Sequence, residues 1–188
     1  MITVTGQGND LQPQYNRALD WTLTPFGYSE AVSLELAKQW ARVKTGDTED
    51  DIFALLIVAA REAIEAFTGL SLTPKVAEVT MLVPQPLFEL PFGPVTSTPT
   101  FVNFQDESID VELVGFDFPK IQYGFSQFIT ATYNVGYDSD TLPSQLKTAW
   151  LNQIVFMYEN RGDNSDTAVL CKSAQMMCQN FTRQPWFQ

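Results

Sequence analysis

The sequence predicts an α+β protein, a small bundle of about four helices with an antiparallel β insertion between the second and third long helices. Apolar residues recur at helical spacing before and after the middle of the chain. Residues 74–137 instead hold short runs rich in Val, Phe and Thr, separated by prolines. Since 45% of the 188 residues are hydrophobic, the chain can bury a core of its own.

The sequence divides into consecutive segments. They are an N-terminal arm or extension at 1–30, a first helical half at 31–73, the β insertion at 74–137, a second helical half at 138–181 and a C-terminal tail at 182–188.

The first segments combine a polar arm with a short helix. Within residues 1–30, LDWTLTP is the stretch that indicates a strand. Residues 33–43 have helical spacing, with Ser33 as the expected N-cap, and the TGD sequence at 45–47 ends that helix.

The second helix is predicted from TEDDIFALLIVAAREAIEAFTG, which runs from Thr48 to Gly69. Thr48 and Asp51 match the capping-box pattern, and the acidic residues at 49–51 suit the positive end of a helix dipole. Gly69 suits the position just past the helix end. The acidic run therefore indicates a helix start rather than a metal or catalytic site, and an EF-hand is excluded because its glycine and distal glutamate are missing.

Strands and two further helices follow. The predicted strands are VAEVTMLV, TFVNF, VELVGF, KIQYG and FITATYNV. A third long helix begins near Pro143 and ends at Gly162, and a last helical pattern covers residues 165–181. The apolar positions expected to pack these helices are Ile52, Leu56, Ile64, Phe67, Trp150, Ile154 and Tyr158.

Composition argues against enzyme chemistry. The chain has no histidine, so a Ser-His-Asp or Cys-His mechanism cannot be built from it. It also lacks the phosphate-binding glycine motifs and the G-x-S-x-G elbow. Carboxylate pairs such as Asp138/Asp140 and Asp106/Glu107 occur, but among 22 acidic residues such pairs arise by chance. We therefore predict no catalytic residue, no cofactor and no metal ligand.

The two cysteines are expected to be reduced and to face the core. Cys171 and Cys178 are seven positions apart, which on one helix is about 10 Å, too far for a disulfide. A zinc site would need two further ligands nearby. The sequence has no secretory signal pattern, and its apolar runs are shorter than the ~18 residues of a membrane span, so no membrane partner is expected.

The net charge and the aromatic residues near the C-terminus indicate which partners the protein can bind. With 22 acidic and 11 basic residues the formal net charge is −11, which repels DNA phosphates and anionic membranes. Trp186 and Phe187 follow Pro185 near the end of the sequence. They can either fold back onto the core or anchor a partner, since aromatic residues are enriched at binding hot spots.

Three stretches together resemble one family. They are VSLELAKQWARVKTGDTEDDIFALLIVAAREAIEAFTGLSL at 32–72, ELPFGPVTSTPTFVNFQDE at 89–107 and ITATYNVGYDSDTLPSQLKTAWLNQIVFMYENRGD at 129–163. The motifs are a T-G pair at Thr68-Gly69, LP-x-x-P-V-x-S at 90–97, a proline-started helix and Y-E-N-R at 158–161. In this order they resemble the head–tail connector proteins of long-tailed bacteriophages, also called head-completion or portal-adaptor proteins.

The resemblance implies a structural virion protein at the head–tail junction, present in the host cytoplasm during assembly. About twelve copies would form a ring that joins the portal to the neck and tail-completion proteins and extends the DNA channel. Double-stranded DNA would pass without sequence-specific contact, along acidic groups that face the lumen. Arg183, Trp186 and Phe187 would contact the portal, because in relatives the C-terminal segment reaches it. The helices, apolar on more than one side, would also contact neighbouring subunits.

Other functions remain open at this point. The first is a tail-completion or stopper protein just below the connector, which binds the tail tube instead of the portal. A carboxylate-dependent hydrolase would turn over cell-wall or polysaccharide substrates. An acidic inhibitor of a DNA-binding protein would bind a basic partner with strong salt dependence.

Overall fold

The computed structural model describes residues 18–27, 30–44, 49–83, 88–122, 127–161 and 170–183. It contains helices and antiparallel sheets, so the predicted mixed α+β class is confirmed. The chain folds into two compact units, one built of strands and one of helices. The β unit takes its described residues from the ranges 1–28 and 73–136, and the helical unit takes them from 29–72 and 137–183.

The helical unit contains four described α-helices. They are α1 Leu34–Trp40, α2 Asp50–Thr68, α3 Ser144–Glu159 and α4 Lys172–Cys178, and a 3-10 turn Gln179–Phe181 follows α4. Trp150 on α3 is fully buried, and its indole N–H donates to the carbonyl of Ile57 on α2 at 2.8 Å. Phe53, Ile64 and Ile154 are also fully buried in this unit. The apolar spacing read from the sequence therefore marks the core of the helical unit.

The β unit contains seven described strands in two sheets. They are β1 Ala18–Pro25, β2 Lys75–Val83, β3 Phe88–Glu89, β4 Thr100–Asn103, β5 Glu112–Val114, β6 Lys120–Gln122 and β7 Gln127–Val135. One antiparallel sheet has the order β1-β2-β7-β4, and a smaller antiparallel sheet has the order β3-β6-β5. Because β1 pairs with β2, the larger sheet extends beyond residues 74–137, and the strand expected in LDWTLTP is confirmed.

The core of the β unit draws on both sheets. Val79, Ala131 and Phe101 are paired across the larger sheet and are buried, together with Ile121 from the smaller sheet. Register alternation places Thr80 and Thr130 on the opposite face, where their hydroxyls lie 2.9 Å apart. The five sequence stretches predicted as strands all contain observed strands, and each carries the β-branched or aromatic residues that favour strands.

Several helix ends agree with the sequence. The Ser33 hydroxyl accepts the Leu36 N–H at 3.2 Å, as an N-cap does. Gly69 ends α2 in the left-handed conformation at φ 71°, and Pro143 directly precedes α3. The expected cap of α2 differs, because Glu49 and not Thr48 holds the N-cap position and its side chain makes no capping hydrogen bond. Thr48 and Gly162 themselves lie outside the described residues.

The last helix differs from its prediction. The pattern over 165–181 predicted one helix, but Leu170 and Cys171 are not helical and α4 begins at Lys172. The cause is a contact with α3, because the side chain of the buried Gln153 accepts the Cys171 N–H at 2.8 Å and Cys171 becomes the N-cap of α4 instead of a helical residue. Cys178 is buried as expected, whereas Cys171 is only half-buried, and both thiols are free.

Candidate assembly surfaces

The acidic start of α2 is tied to the end of α3 within the helical unit. The Glu49 carboxylate accepts hydrogen bonds from the Tyr158 hydroxyl and from Arg161 Nη1, the latter at 3.1 Å. The Arg161 guanidinium also lies 4.2 Å from the centre of the Tyr158 ring. The hydrogen bond from Tyr158, and then that from Arg161, lower the pKa of Glu49. Tyr158, a predicted packing residue, therefore closes an internal contact.

A buried cation organises the other end of α2. Arg61, only 7% exposed, donates through Nε to Glu30 Oε1 at 3.2 Å and through Nη1 to Glu65 Oε2 at 2.8 Å. The second oxygen of Glu65 accepts the Leu72 N–H at 2.7 Å. Buried charges of this kind require partners, so we assign these groups to the architecture of the helical unit.

Most predicted packing residues of the helices face inward. Leu56, Ile64, Trp150 and Ile154 are buried, Phe67 is half-buried, and Ile52 is 36% exposed. The four buried side chains are covered by their own unit and therefore belong to the bundle rather than to a subunit contact.

The second apolar side of α2 faces outward. Leu55 is 69% exposed, Ala66 is exposed and Ala59 is half-buried. With Ile52, Leu55 and Ala59 lie at spacings of three and four residues along one side of the helix, and the exposed Glu62 separates them from Ala66. We call Ile52, Leu55 and Ala59 the outer α2 stripe. A solvent-facing apolar stripe on a long helix is a candidate contact for another protein surface.

Arg183, the last described residue, is hydrogen-bonded to the end of α2. The Arg183 N–H donates to the Thr68 carbonyl at 2.6 Å, and Arg183 itself is exposed. Trp186 and Phe187, the other predicted portal contacts, lie outside the described residues.

Basic and aromatic side chains lie at the C-terminal end of α1. Trp40 is 46% exposed, and Arg42 and Lys44 are exposed beyond the end of the helix. We call these three residues the Trp40 patch. Sequence reasoning placed Trp40 on a packed face and did not single out the cations. No sequence signal pointed to Arg42, because the helical spacing ran on to residue 43, whereas α1 ends at Trp40 and leaves Arg42 just past its C-cap.

The loops of the β unit expose large aromatic side chains. Phe116, between β5 and β6, is 93% exposed, and Phe104, just after β4, is 73% exposed. In the Phe104 turn, the Asn103 side-chain oxygen accepts the N–H groups of Gln105 and Glu107. Aromatic side chains held in solvent by ordered turns are candidate anchors for a partner.

The described residues were compared with two kinds of feature, a metal-binding group and a membrane-spanning helix. Within the described ranges, no group of three His, Cys, Asp or Glu residues is placed to hold a metal ion. None of the described helices combines the length and apolarity that a membrane span requires.

Comparisons with known proteins connect this fold to particle necks. No protein-family model matches the sequence. No curated protein matches it either. Among solved structures, a chain from the neck of an empty gene transfer agent (GTA) particle, computed with C6 symmetry, matches with a TM-score of 0.66 at 17% identity. That match covers 86% of this chain and 95% of the other.

Two further structures agree with it. A chain from the virion of a native GTA particle gives a TM-score of 0.66 at 18% identity, over 85% of this chain and 94% of that chain. A chain from the neck of a native GTA particle, computed with C12 symmetry, gives 0.61 at 17% identity, over 86% and 94%. The resemblance to connector proteins is therefore confirmed in its fold: this chain folds like chains found in the necks of gene transfer agent particles.

Proposed function

We propose that this protein is a structural component of the neck of a phage-like particle, an adaptor ring that joins the portal at the capsid vertex to the neck and tail. The observation that carries the proposal is the fold shared with GTA neck chains over 86% of this sequence. A non-enzymatic role fits, because those chains belong to particle necks and because Glu49 and Glu65 here serve internal contacts.

The ring is supported by symmetry and by the helix surface. The matching necks were computed with C6 and C12 symmetry, which favours a ring of about twelve copies here. The outer α2 stripe supplies an apolar face for the neighbouring copy. Leu55 at 69% exposure would lose much of its contact with water in such an interface, at about 25 cal/mol per Å² of apolar area buried.

The C-terminal tail is proposed to bind the portal. Arg183 is anchored at the end of α2, so residues 184–188 start from a defined position. Trp186 and Phe187 supply the aromatic anchors and Arg183 supplies a charge on the same segment. This assignment rests on the likeness to connector proteins, whose C-terminal segments reach the portal.

The net charge suits a DNA channel. A chain of −11, repeated around a ring, gives a wall that repels phosphate groups and does not hold DNA. We propose that acidic groups face the lumen, so that double-stranded DNA passes without sequence-specific contact. A structure of the ring with a channel lined by lysine or arginine would contradict this part of the proposal.

The ring is tested by mixing the purified protein with purified portal and imaging the product by electron microscopy. We expect added density of rotational symmetry at one end of the portal. Leu55→Asp should prevent ring formation, whereas Gln145→Asp, at an exposed position of α3, should leave it intact. Binding to the tail tube and not to the portal would instead identify the chain as a tail-completion or stopper protein.

A further inference from the structure

The Trp40 patch contains an aromatic side chain held in a fixed orientation. The indole N–H of Trp40 donates to the Asn152 side-chain oxygen at 3.1 Å, although 46% of the residue is exposed. The Asn152 amide nitrogen in turn lies 3.8 Å from the sulfur of Met177, a weak acceptor. An exposed tryptophan that is already oriented loses little side-chain freedom on binding, which is typical of an interface anchor.

Arg42 occupies a backbone position that normally favours glycine. The Val43 N–H donates to the Lys38 carbonyl at 2.9 Å and the Arg42 N–H to the Gln39 carbonyl at 3.1 Å, the paired bonds of a Schellman helix end. Arg42 is the left-handed residue of this motif, at φ 58°. An exposed arginine there strains the backbone, and strained positions of this kind concentrate at functional sites.

The patch is positively charged in an acidic protein. Within the described ranges, neither Arg42 nor Lys44 takes part in an ion pair, although the whole chain has twice as many acidic as basic residues, 22 against 11. By contrast, the buried cations Lys38 and Arg61 are paired with carboxylates. The two exposed cations are therefore available to an acidic surface.

The Phe116 loop, residues 115–119, is an acidic and aromatic projection with a fixed backbone. The Val95 N–H donates to the Asp117 carbonyl at 2.8 Å and the Leu90 N–H to the Pro119 carbonyl at 2.9 Å. The Phe118 ring lies so close to Gly93 that a Cβ on that glycine would be 2.6 Å from it. Phe116 is thus presented to solvent, 93% exposed, on a loop that is already ordered.

We propose that the Phe116 loop of one copy docks on the Trp40 patch of the next copy in the ring. This inference rests on the proposed ring and names one contact within it. Phe116 would pack against the Trp40 ring, and the exposed Asp117 would face Arg42 and Lys44. The two surfaces are different parts of the chain, so the contact is head-to-tail, the kind that repeats around a ring. DNA is a weaker candidate for the patch because the net charge of −11 opposes its approach.

The first test asks whether two single variants restore each other's association when they are mixed. Sedimentation velocity, with and without portal, measures the self-association. Arg42→Glu and Phe116→Ala should each weaken self-association by about tenfold or more, as loss of one hot-spot residue does. Mixed together, the two should form one-to-one pairs, because Arg42→Glu keeps the loop and Phe116→Ala keeps the patch. Lys172→Glu, a charge reversal on an exposed residue of α4, should associate like the wild type.

The second test separates binding from folding at Arg42. Arg42→Gly should raise the thermal unfolding midpoint, because glycine accepts the left-handed backbone without strain. The same variant should weaken self-association by about tenfold. The double variant with Arg42→Glu and Asp117→Lys should recover association that either single change removes. A purely structural arginine would not give opposite effects on stability and association.

Three outcomes would overturn the inference. Unchanged rings with Arg42→Glu and with Phe116→Ala would contradict it while leaving the proposed ring intact. Binding of double-stranded DNA that Arg42→Glu removes would assign the patch to nucleic acid instead. A wild-type protein that does not self-associate, either alone or with portal present, would contradict both the proposed Phe116–Trp40 contact and the proposed ring.

Discussion

The carbonyl oxygen of Arg183 lies so close to Gly69 that a Cβ atom on residue 69 would be 2.2 Å from it. The Arg183 N–H also donates to the carbonyl of Thr68, so Arg183 is hydrogen-bonded to the last residue of α2 and lies against the glycine that follows it. Gly69 therefore ends α2 and also leaves the space that the backbone of Arg183 occupies. This relationship fixes the point from which the proposed portal-binding tail departs.

Gly69→Ala should destabilise the protein by more than about 2 kcal/mol, since it adds a backbone clash to the cost of a left-handed alanine. Gly27→Ala is the matched control, because Gly27 has φ 60° and no atom within 4 Å of the added Cβ. The control should cost only about 1 kcal/mol. Urea unfolding measures the loss of stability in each variant. Equal losses would show that the Arg183 backbone does not clash with a side chain at position 69.

Removal of residues 184–188 should abolish portal binding and leave the fold intact. The cut follows Arg183 because that residue contacts Thr68 and its loss would disturb α2. The double variant with Trp186→Ala and Phe187→Ala should weaken binding by about 2 kcal/mol or more if both are hot spots. Pull-down on immobilised portal measures the binding of each variant, and thermal unfolding shows whether the variant is still folded. Full binding by the truncated chain would exclude the tail as the portal contact.

Acid should remove the stabilisation that Glu49 provides. Its pKa is lowered in the folded state by the Tyr158 and Arg161 hydrogen bonds, so the contribution is present above the usual value of 4.5 and is lost as the pH falls through the folded pKa. Glu49→Gln should therefore be less stable than wild type at pH 7, with the difference shrinking below pH 4.5.

Thermal unfolding from pH 7 to pH 3 measures this difference. Glu159→Gln, an exposed residue next to Tyr158 in sequence, is the control and should show no such convergence. A constant gap between Glu49→Gln and wild type across that range would mean that the carboxylate charge does not matter.

The two thiols should differ in reactivity. Burial, and then the nearby Cys171, raise the pKa of Cys178 to about 11, so at pH 8 it is a neutral and covered thiol. Cys171 is half-buried and lies beside the Ser173 hydroxyl at 3.3 Å. A disulfide-exchange reagent should modify one thiol in the native protein and two in denaturant. Cys171→Ser should leave none reactive, and fast labelling of Cys178 in that variant would contradict the burial.

The sequence predicted features whose causes are local. Ser33, Gly69 and Pro143 lie at helix ends because capping and backbone preferences act over a few residues. The alternation in FITATYNV predicted β7 for the same reason. Contacts between distant residues were not predictable, such as Gln153 with Cys171, which shortens the last helix.

Of the exposed surfaces, one was predictable from the sequence and one was not. The outer α2 stripe was predictable, because the sequence shows that this helix is apolar on more than one side. The Trp40 patch was not, because exposure of Trp40 depends on how α1 packs on the rest of the helical unit. Arg42 was not predictable either, because it lies inside the helix predicted over 33–43, and only the observed end of α1 at Trp40 shows its left-handed position.

Quantitative mass spectrometry of purified particles tests the central claim most directly, by measuring this chain relative to the portal protein. The proposed adaptor ring predicts both proteins in the particle at a ratio near one to one. A chain absent from the particles would contradict the assignment to the neck and would return attention to the hydrolase and inhibitor alternatives.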